Sequence, residues 1–246
     1  MSVPYRERVS ARPRTDAEIR ALRHVSLAEW GALLRASKKI LADSNQTREL
    51  MVIEEVLNRS RIARLLRNGY FDGDEPRDLL RDRPLLTPRT VDLAALRAKP
   101  EETLGGAFAR HLERYGLNLG LFDEPTPVLA DHPDIGWVVQ RNRQTHDLWH
   151  TLLGLGVLPH EEVLVHAFCW GHLGVPQSAF IVLFGAVKHM VLEARWRTLR
   201  LGLRAAYDAG HRAAPLWAVY WERHWDEPLT EVRRRLRVEP YASALD

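Results

Sequence analysis

The chain has 246 residues, 46% of them hydrophobic, and a formal net charge of +3. That is enough apolar material for a real core and too small a charge imbalance for a dedicated polyanion binder. A lone cysteine, Cys169, excludes an intrachain disulfide, and no run reaches the roughly 18 apolar residues of a membrane span.

Residues 1–20 read as a flexible tail; the first fifteen are arginine-rich without the apolar core of a secretory signal and resemble a mitochondrial transit peptide, a reading that Glu7 and two prolines weaken. Ser26 and Glu29 form a capping-box pair, opening a helix that should turn Leu27, Trp30, Leu33, Leu34, Ile40 and Leu41 toward a core. Asp43, Ser44 and Asn45 break it. A second helix starts near Thr47, carries Leu50, Ile53, Leu57 and Leu65, and stops at Asn68-Gly69. Its Glu54, Glu55 and Arg59, like Glu193 and Arg197 later, have the helical charge spacing of a solvated face and argue against a nucleic-acid interface. Residues 70–88, with Gly73, Pro76, Pro84 and Pro88, read as an irregular connection.

Pro100 starts a helix that Gly116 should end. Residues 120–133 are loop, and Asp134 is placed to cap a helix reaching about Leu153. Residues 154–159 turn the chain, and a further helix starts near His160. Pro176 opens a long helix to about Ala209, with Gly210 as its stop, and 215–225 and 228–236 also look helical. The fold class is therefore all-α, a single helical domain of roughly eight helices over residues 21–240, with Cys169 a buried structural thiol between Phe168 and Trp170.

Residues 146–150 read His-Asp-Leu-Trp-His. At about 100° per residue, His146, Asp147 and His150 fall within roughly one quarter of a helix circumference. Glu162 follows across the 154–159 turn, in the first turn of the next helix, where an antiparallel pair would bring it over the same patch. Two imidazoles with carboxylates suit Zn²⁺ first, with Mn²⁺ or Fe²⁺ as alternatives, rather than Ca²⁺ or Mg²⁺. Arg143, one turn before Asp147, reads as a clamp on a substrate carboxylate, as a supporting partner for Asp147, or as a surface ion pair. His160, His166, His172 and His189 are proton-donor candidates by residue type alone. A metal-dependent phosphohydrolase would need a second HD doublet, which the sequence lacks.

The pattern HDxxH-x₁₁-E, with Val138–Arg143 before it and Thr151-Leu152-Leu153-Gly154 after it, resembles the signature of the coenzyme Q biosynthesis protein 4 family. The segment from Gly210-His211-Arg212-Ala213-Ala214 through Tyr220–Trp225 is similar to that family's closing segment. The resemblance implies a role in ubiquinone biosynthesis: metal-dependent loss of the C1 carboxylate from a polyprenylated 4-hydroxybenzoate-type precursor, with or without hydroxylation. It also implies other quinone-biosynthesis enzymes and a membrane surface as partners, and a homodimer. The alternative is a non-enzymatic organiser that binds prenyl lipids and gathers the other enzymes. Ala179–Val187, apolar on every face, is either a buried core helix or the wall of a prenyl tunnel, and Trp217, Trp221 and Trp225 either a core stripe or an interfacial belt. The expected location is the bacterial cytoplasm, peripheral at the inner face of the membrane.

Overall fold

A computed structural model describes residues 14–42, 47–122, 132–193 and 196–241. The described residues carry eleven α-helices and no strand. These are α1 Asp16–Ala21, α2 Leu27–Ala42, α3 Thr47–Arg67, α4 Asp74–Asp82, α5 Leu93–Arg97, α6 Leu104–Tyr115, α7 Pro133–Leu153, α8 Pro159–Leu173, α9 Pro176–Glu193, α10 Trp196–Arg212 and α11 Leu229–Leu236. The all-α expectation holds. The expected break at 43–45 lies outside the described residues.

The chain clusters into two compact units. Of the described residues, the first takes 14–42, 47–70, 132–139 and 175–177. In it the amide of Ser26 donates to the Glu29 carboxylate at 2.7 Å, and the amide of Glu29 donates to Ser26 Oγ at 3.2 Å. This is the capping box read from the sequence. Glu29 also pairs with Arg59 of α3, which holds its carboxyl down at about 2. The face that α2 buries is not the one expected. Leu33 and Ala36 are inside, whereas Leu27, Trp30 and Leu34 are 91%, 52% and 68% exposed. Glu54 and Glu55 of α3 are buried rather than solvated. Charge spacing along a helix gives the period of a face but not its direction.

The second unit takes, of the described residues, 71–122, 140–174, 178–193 and 196–241. The stretch expected to be irregular holds α4, started after Gly73 and closed by a left-handed Arg83. Gly116, in the left-handed region at φ 63°, ends α6 as expected. Gly210 does not end a helix. It lies inside α10, where an added Cβ would sit 2.1 Å from the Phe168 carbonyl oxygen of α8. Gly171 of α8 is its counterpart, at 2.0 Å from the Tyr207 carbonyl oxygen of α10. Both glycines let two backbones touch.

The tryptophan segment is not one helix but two 3₁₀ turns, Leu216–Ala218 and Trp221–Arg223. Two of its three tryptophans are core, and Trp225 is half-buried. Trp217 and Trp221 are buried, Trp217 Nε1 donates to Asn142 at 2.7 Å, and Trp225 stacks on Phe108 with ring centroids 5.8 Å apart. Arg141 of α7 meets Glu222 through two hydrogen bonds of 2.6 and 2.7 Å. The side chains of Ala186 and Val187 lie outside the described residues. Of the remainder of the apolar run, Val182 is buried and Leu183 exposed.

Candidate metal centre

The last turns of α7 carry His146 and His150, and the end of that helix is held firmly. Gly154 takes the left-handed conformation at φ 66°. The Arg233 guanidinium of α11 donates to the carbonyls of Leu152 and Thr151 at 2.8 and 3.0 Å, satisfying carbonyls that a helix end leaves open. Past Gly154, the chain is tied by Glu161, whose carboxylate accepts from the amides of Gly156 at 2.8 Å and Leu158 at 2.9 Å. Glu161 sits two residues after Pro159, the first residue of α8. Proline at the first position with glutamate at the third is a sequence-visible start signal.

This turn aims the Gly156 carbonyl at His150. His150 Nδ1 donates to it at 2.7 Å, and the side chain is fully buried. With the proton fixed on Nδ1, Nε2 presents a lone pair. That Nε2 lies 3.1 Å from Nε2 of His146 and 3.4 Å from one Glu162 oxygen, while His146 Nε2 lies 3.4 Å from the other. A tetrahedral ion with bonds of about 2.0–2.1 Å sets its ligands roughly 3.4 Å apart. The three side chains therefore fit a single divalent cation. Among the described residues they form one group of donor atoms that all lie within 4.8 Å of one another. Imidazole and carboxylate together suit Zn²⁺, Mn²⁺ or Fe²⁺.

Glu162 is held well below the usual carboxylate range. Burial pushes it up, but hydrogen bonds to His146 and His150 and their charge pull it down further. Asp147 is not in the group of three. Its carboxyl is raised by burial, partly offset by His146 and His150. Arg143 is only 6% exposed, which removes the surface ion pair as its explanation.

Two imidazoles flank the group. His166 of α8 stacks on His146 with ring centroids 5.7 Å apart and lies 3.2 Å from Ser178 Oγ. His111 of α6 lies 5.8 Å from His150, centroid to centroid. Burial lowers both, His166 to about 3 and His111 to about 4, so both are neutral near pH 7. His111 was missed in the sequence because nothing local marks it; α6 folds in from a distant part of the chain. His172 is structural, donating from Nδ1 to the Gly210 carbonyl at 3.1 Å and accepting from the Leu216 amide at 3.1 Å. His160 is in the first turn of α8 and outside the group, and the His189 side chain lies outside the described residues.

The class these features define is a helical protein with two histidines one turn apart and a glutamate from the following helix, a donor triad able to hold a metal ion. Residues 23–242 match the family described as coenzyme Q (ubiquinone) biosynthesis protein Coq4, and the chain belongs to it. The mitochondrial ubiquinone biosynthesis protein COQ4 homolog of Aedes aegypti is 33% identical over 71% of this chain and 62% of its own length. Homolog 1 of Culex quinquefasciatus is 34% identical over the same shares. The chain thus spans about three fifths of these relatives. A crystal structure from Nostoc punctiforme, named as a candidate ubiquinone biosynthesis protein, covers 85% of this chain and 98% of its own at 26% identity and TM-score 0.66.

These relatives correct the expected bacterial cytoplasmic location at the inner membrane face, because those of Aedes, Culex and Coprinopsis cinerea are named mitochondrial. That expectation set aside a transit-peptide reading of the arginine-rich first fifteen residues on the strength of Glu7 and two prolines, an argument the relatives' names outweigh. No helix among the described residues is long and apolar enough to cross a membrane.

Proposed function

We propose that this chain acts in ubiquinone biosynthesis as a metal-dependent carbon–carbon lyase. It removes the C1 carboxylate of a polyprenylated 4-hydroxybenzoate-type precursor. The observation that carries the reading is the convergence of His146 Nε2, His150 Nε2 and the Glu162 carboxylate on one cation-sized space, with His150 locked by the Gly156 carbonyl. Three protein donors leave a coordination position for substrate, the arrangement of catalytic rather than closed structural sites. A cation bound there supplies positive charge for a carboxylate or phenolate oxygen.

The chain's own residues do the rest. His146, His150 and Glu162 fix where the charge sits. Glu161 and Gly156 keep the ligand ring of His150 from rotating. The neutral rings of His111 and His166 stand beside His150 and His146. As the C1–carboxylate bond breaks, its electron pair stays on C1, a proton takes its place and CO₂ leaves. This exchange balances with no outside oxidant; a hydroxyl in place of the proton would require O₂. Membership of the family supports the pathway, and the donor set supports the metal.

The test is purified protein loaded with Zn²⁺, Mn²⁺ or Fe²⁺ and given a prenylated 4-hydroxybenzoate. The expected result is CO₂ and the decarboxylated phenol, with O₂ uptake marking a hydroxylating variant of the step. His150→Ala and Glu162→Ala should lose both metal and turnover. No CO₂ with any of the three metals overturns the lyase and leaves a non-enzymatic prenyl-lipid-binding organiser.

A further inference from the structure

Three helices, not two, contribute imidazole or carboxylate groups around the donor triad. α6 brings His111 and Tyr115, one turn apart on one face. The Tyr115 ring lies 4.9 Å from His111, and its hydroxyl is 2.5 Å from where a Cβ on Gly156 would stand. His111 therefore faces the same turn that orients His150. It is not one of the three donors that share the cation-sized space. Yet its Nε2 is fully buried and has no hydrogen-bond partner among the described residues.

A buried polar atom without a partner is costly, and native proteins carry few of them. Orphans of this kind sit where a water, an ion or a ligand completes the bond. His111 has a ligand ring, His150, directly beside it. A group bound to a cation at the triad would therefore have a hydrogen-bonding nitrogen in reserve one ring away.

We propose that His111 is a substrate-binding residue whose Nε2–H donates to an anionic oxygen of an aromatic acid held at the cation. This rests on the metal-site reading above. The ligand class is a hydroxybenzoate-type acid, whose carboxylate or phenolate oxygen accepts from His111 while another oxygen meets the cation. The three donors fix the ion; His111 fixes the ring.

The experiment uses full-length protein loaded with Co²⁺, whose d–d absorption reports the ligand field, titrated with 4-hydroxybenzoate. Three variants are compared with the natural chain: His111→Phe, which keeps the ring volume, His111→Leu, which removes bulk, and His111→Gln, whose amide N–H reaches a similar place. Co²⁺ affinity should stay within about twofold in all three. Affinity for 4-hydroxybenzoate should fall on the order of tenfold or more in the Phe and Leu variants, as for a lost hydrogen bond to a charged group, and recover to within a few-fold in Gln.

The metal-free melting temperature gives a second reading. With an orphaned polar atom removed, His111→Phe should melt no lower than the natural chain. Unchanged 4-hydroxybenzoate affinity in both the Phe and Leu variants overturns the proposal. A parallel loss of Co²⁺ affinity overturns it too, because His111 would then be supporting His150 rather than the ligand. If the natural chain takes up no Co²⁺ at all, the metal-site reading itself has failed, which is a distinct outcome.

Discussion

His150 Nδ1 and the Gly156 carbonyl oxygen, 2.7 Å apart across the α7–α8 turn, are the contact that fixes a buried ring with its Nε2 toward His146 and Glu162. The contact also exposes the site to changes at a residue that carries no side chain. A Cβ on Gly156 would stand 2.5 Å from the Tyr115 hydroxyl and 2.7 Å from a Glu161 oxygen, so the turn would have to move. We expect Gly156→Ala to weaken Zn²⁺ or Co²⁺ affinity by about 10–100-fold, the range for losing a ligand's supporting hydrogen bond. Competition against a chromogenic chelator measures it. Unaltered affinity would show that the carbonyl is not what holds the ring.

Gly171 and Gly210 lock α8 against α10. Adding a methyl at either drives it to within 2.1 Å of a carbonyl oxygen of the facing helix, and backbone cannot swing aside as a side chain can. Gly171→Ala and Gly210→Ala should each cost about 3 kcal/mol. For a chain of this length that is a fall of roughly 6–12 °C in melting temperature. Gly31→Ala on α2 is the control. Its Cβ would meet only the Arg35 guanidinium at 3.2 Å, and alanine's helix propensity should leave stability equal or raised by up to about 1 kcal/mol. Equal losses at all three positions would contradict the packing argument.

What the sequence made legible, and what it hid, follows from the range of each signal. The capping box at Ser26 and Glu29, the start of α9 at Pro176 and the stop at Gly116 are local rules, satisfied within one turn, and the structure has all three. His146, His150 and Glu162 were readable because helical spacing and one short turn decide their positions. Gly210 misled because glycine has two uses, ending a helix or admitting a neighbour, and only the neighbour, α8, decides between them. The α2 face misled for the same reason. Leu27, Trp30 and Leu34 look like core residues until the packing partner is known. His111 lies 35 positions before His146, and no local pattern connects them.

The two segments that carry the family resemblance, Val138–Arg143 and Tyr220–Trp225, meet through Arg141 and Glu222. The Arg141 side chain is almost fully buried, while Glu222 keeps some solvent contact. Glu222→Ala leaves a guanidinium in the interior without its carboxylate. We expect a loss of about 3 kcal/mol, the low end for breaking a buried pair. Exchanging both partners, Arg141→Met with Glu222→Leu, should cost less than Glu222→Ala alone, because no charge is then stranded. Urea unfolding of the three chains decides it, and a double variant weaker than the single would reverse the ranking.

His172 supplies the pH dependence. Burial holds it down at about 4 against an ordinary value of 6.5, and it is neutral in the fold, donating to Gly210 and accepting from Leu216. The unfolded chain therefore binds a proton on this residue at a higher pH than the folded chain does. Between pH 6.5 and about 4 the unfolded state holds more protons, so stability rises with pH across that window and is lost as pH falls through it. The full swing from this residue is roughly 3 kcal/mol. His172→Gln keeps a donor and an acceptor but does not titrate. Its unfolding free energy should change less between pH 7 and pH 4 than that of the natural chain, by about that amount. His111 and His166 are depressed in the same direction, so the natural chain and the variant share that background and the difference isolates His172. If the two chains lose stability in parallel down to pH 4, His172 is already accommodated as a cation in the fold, and the Leu216 amide is not donating to it.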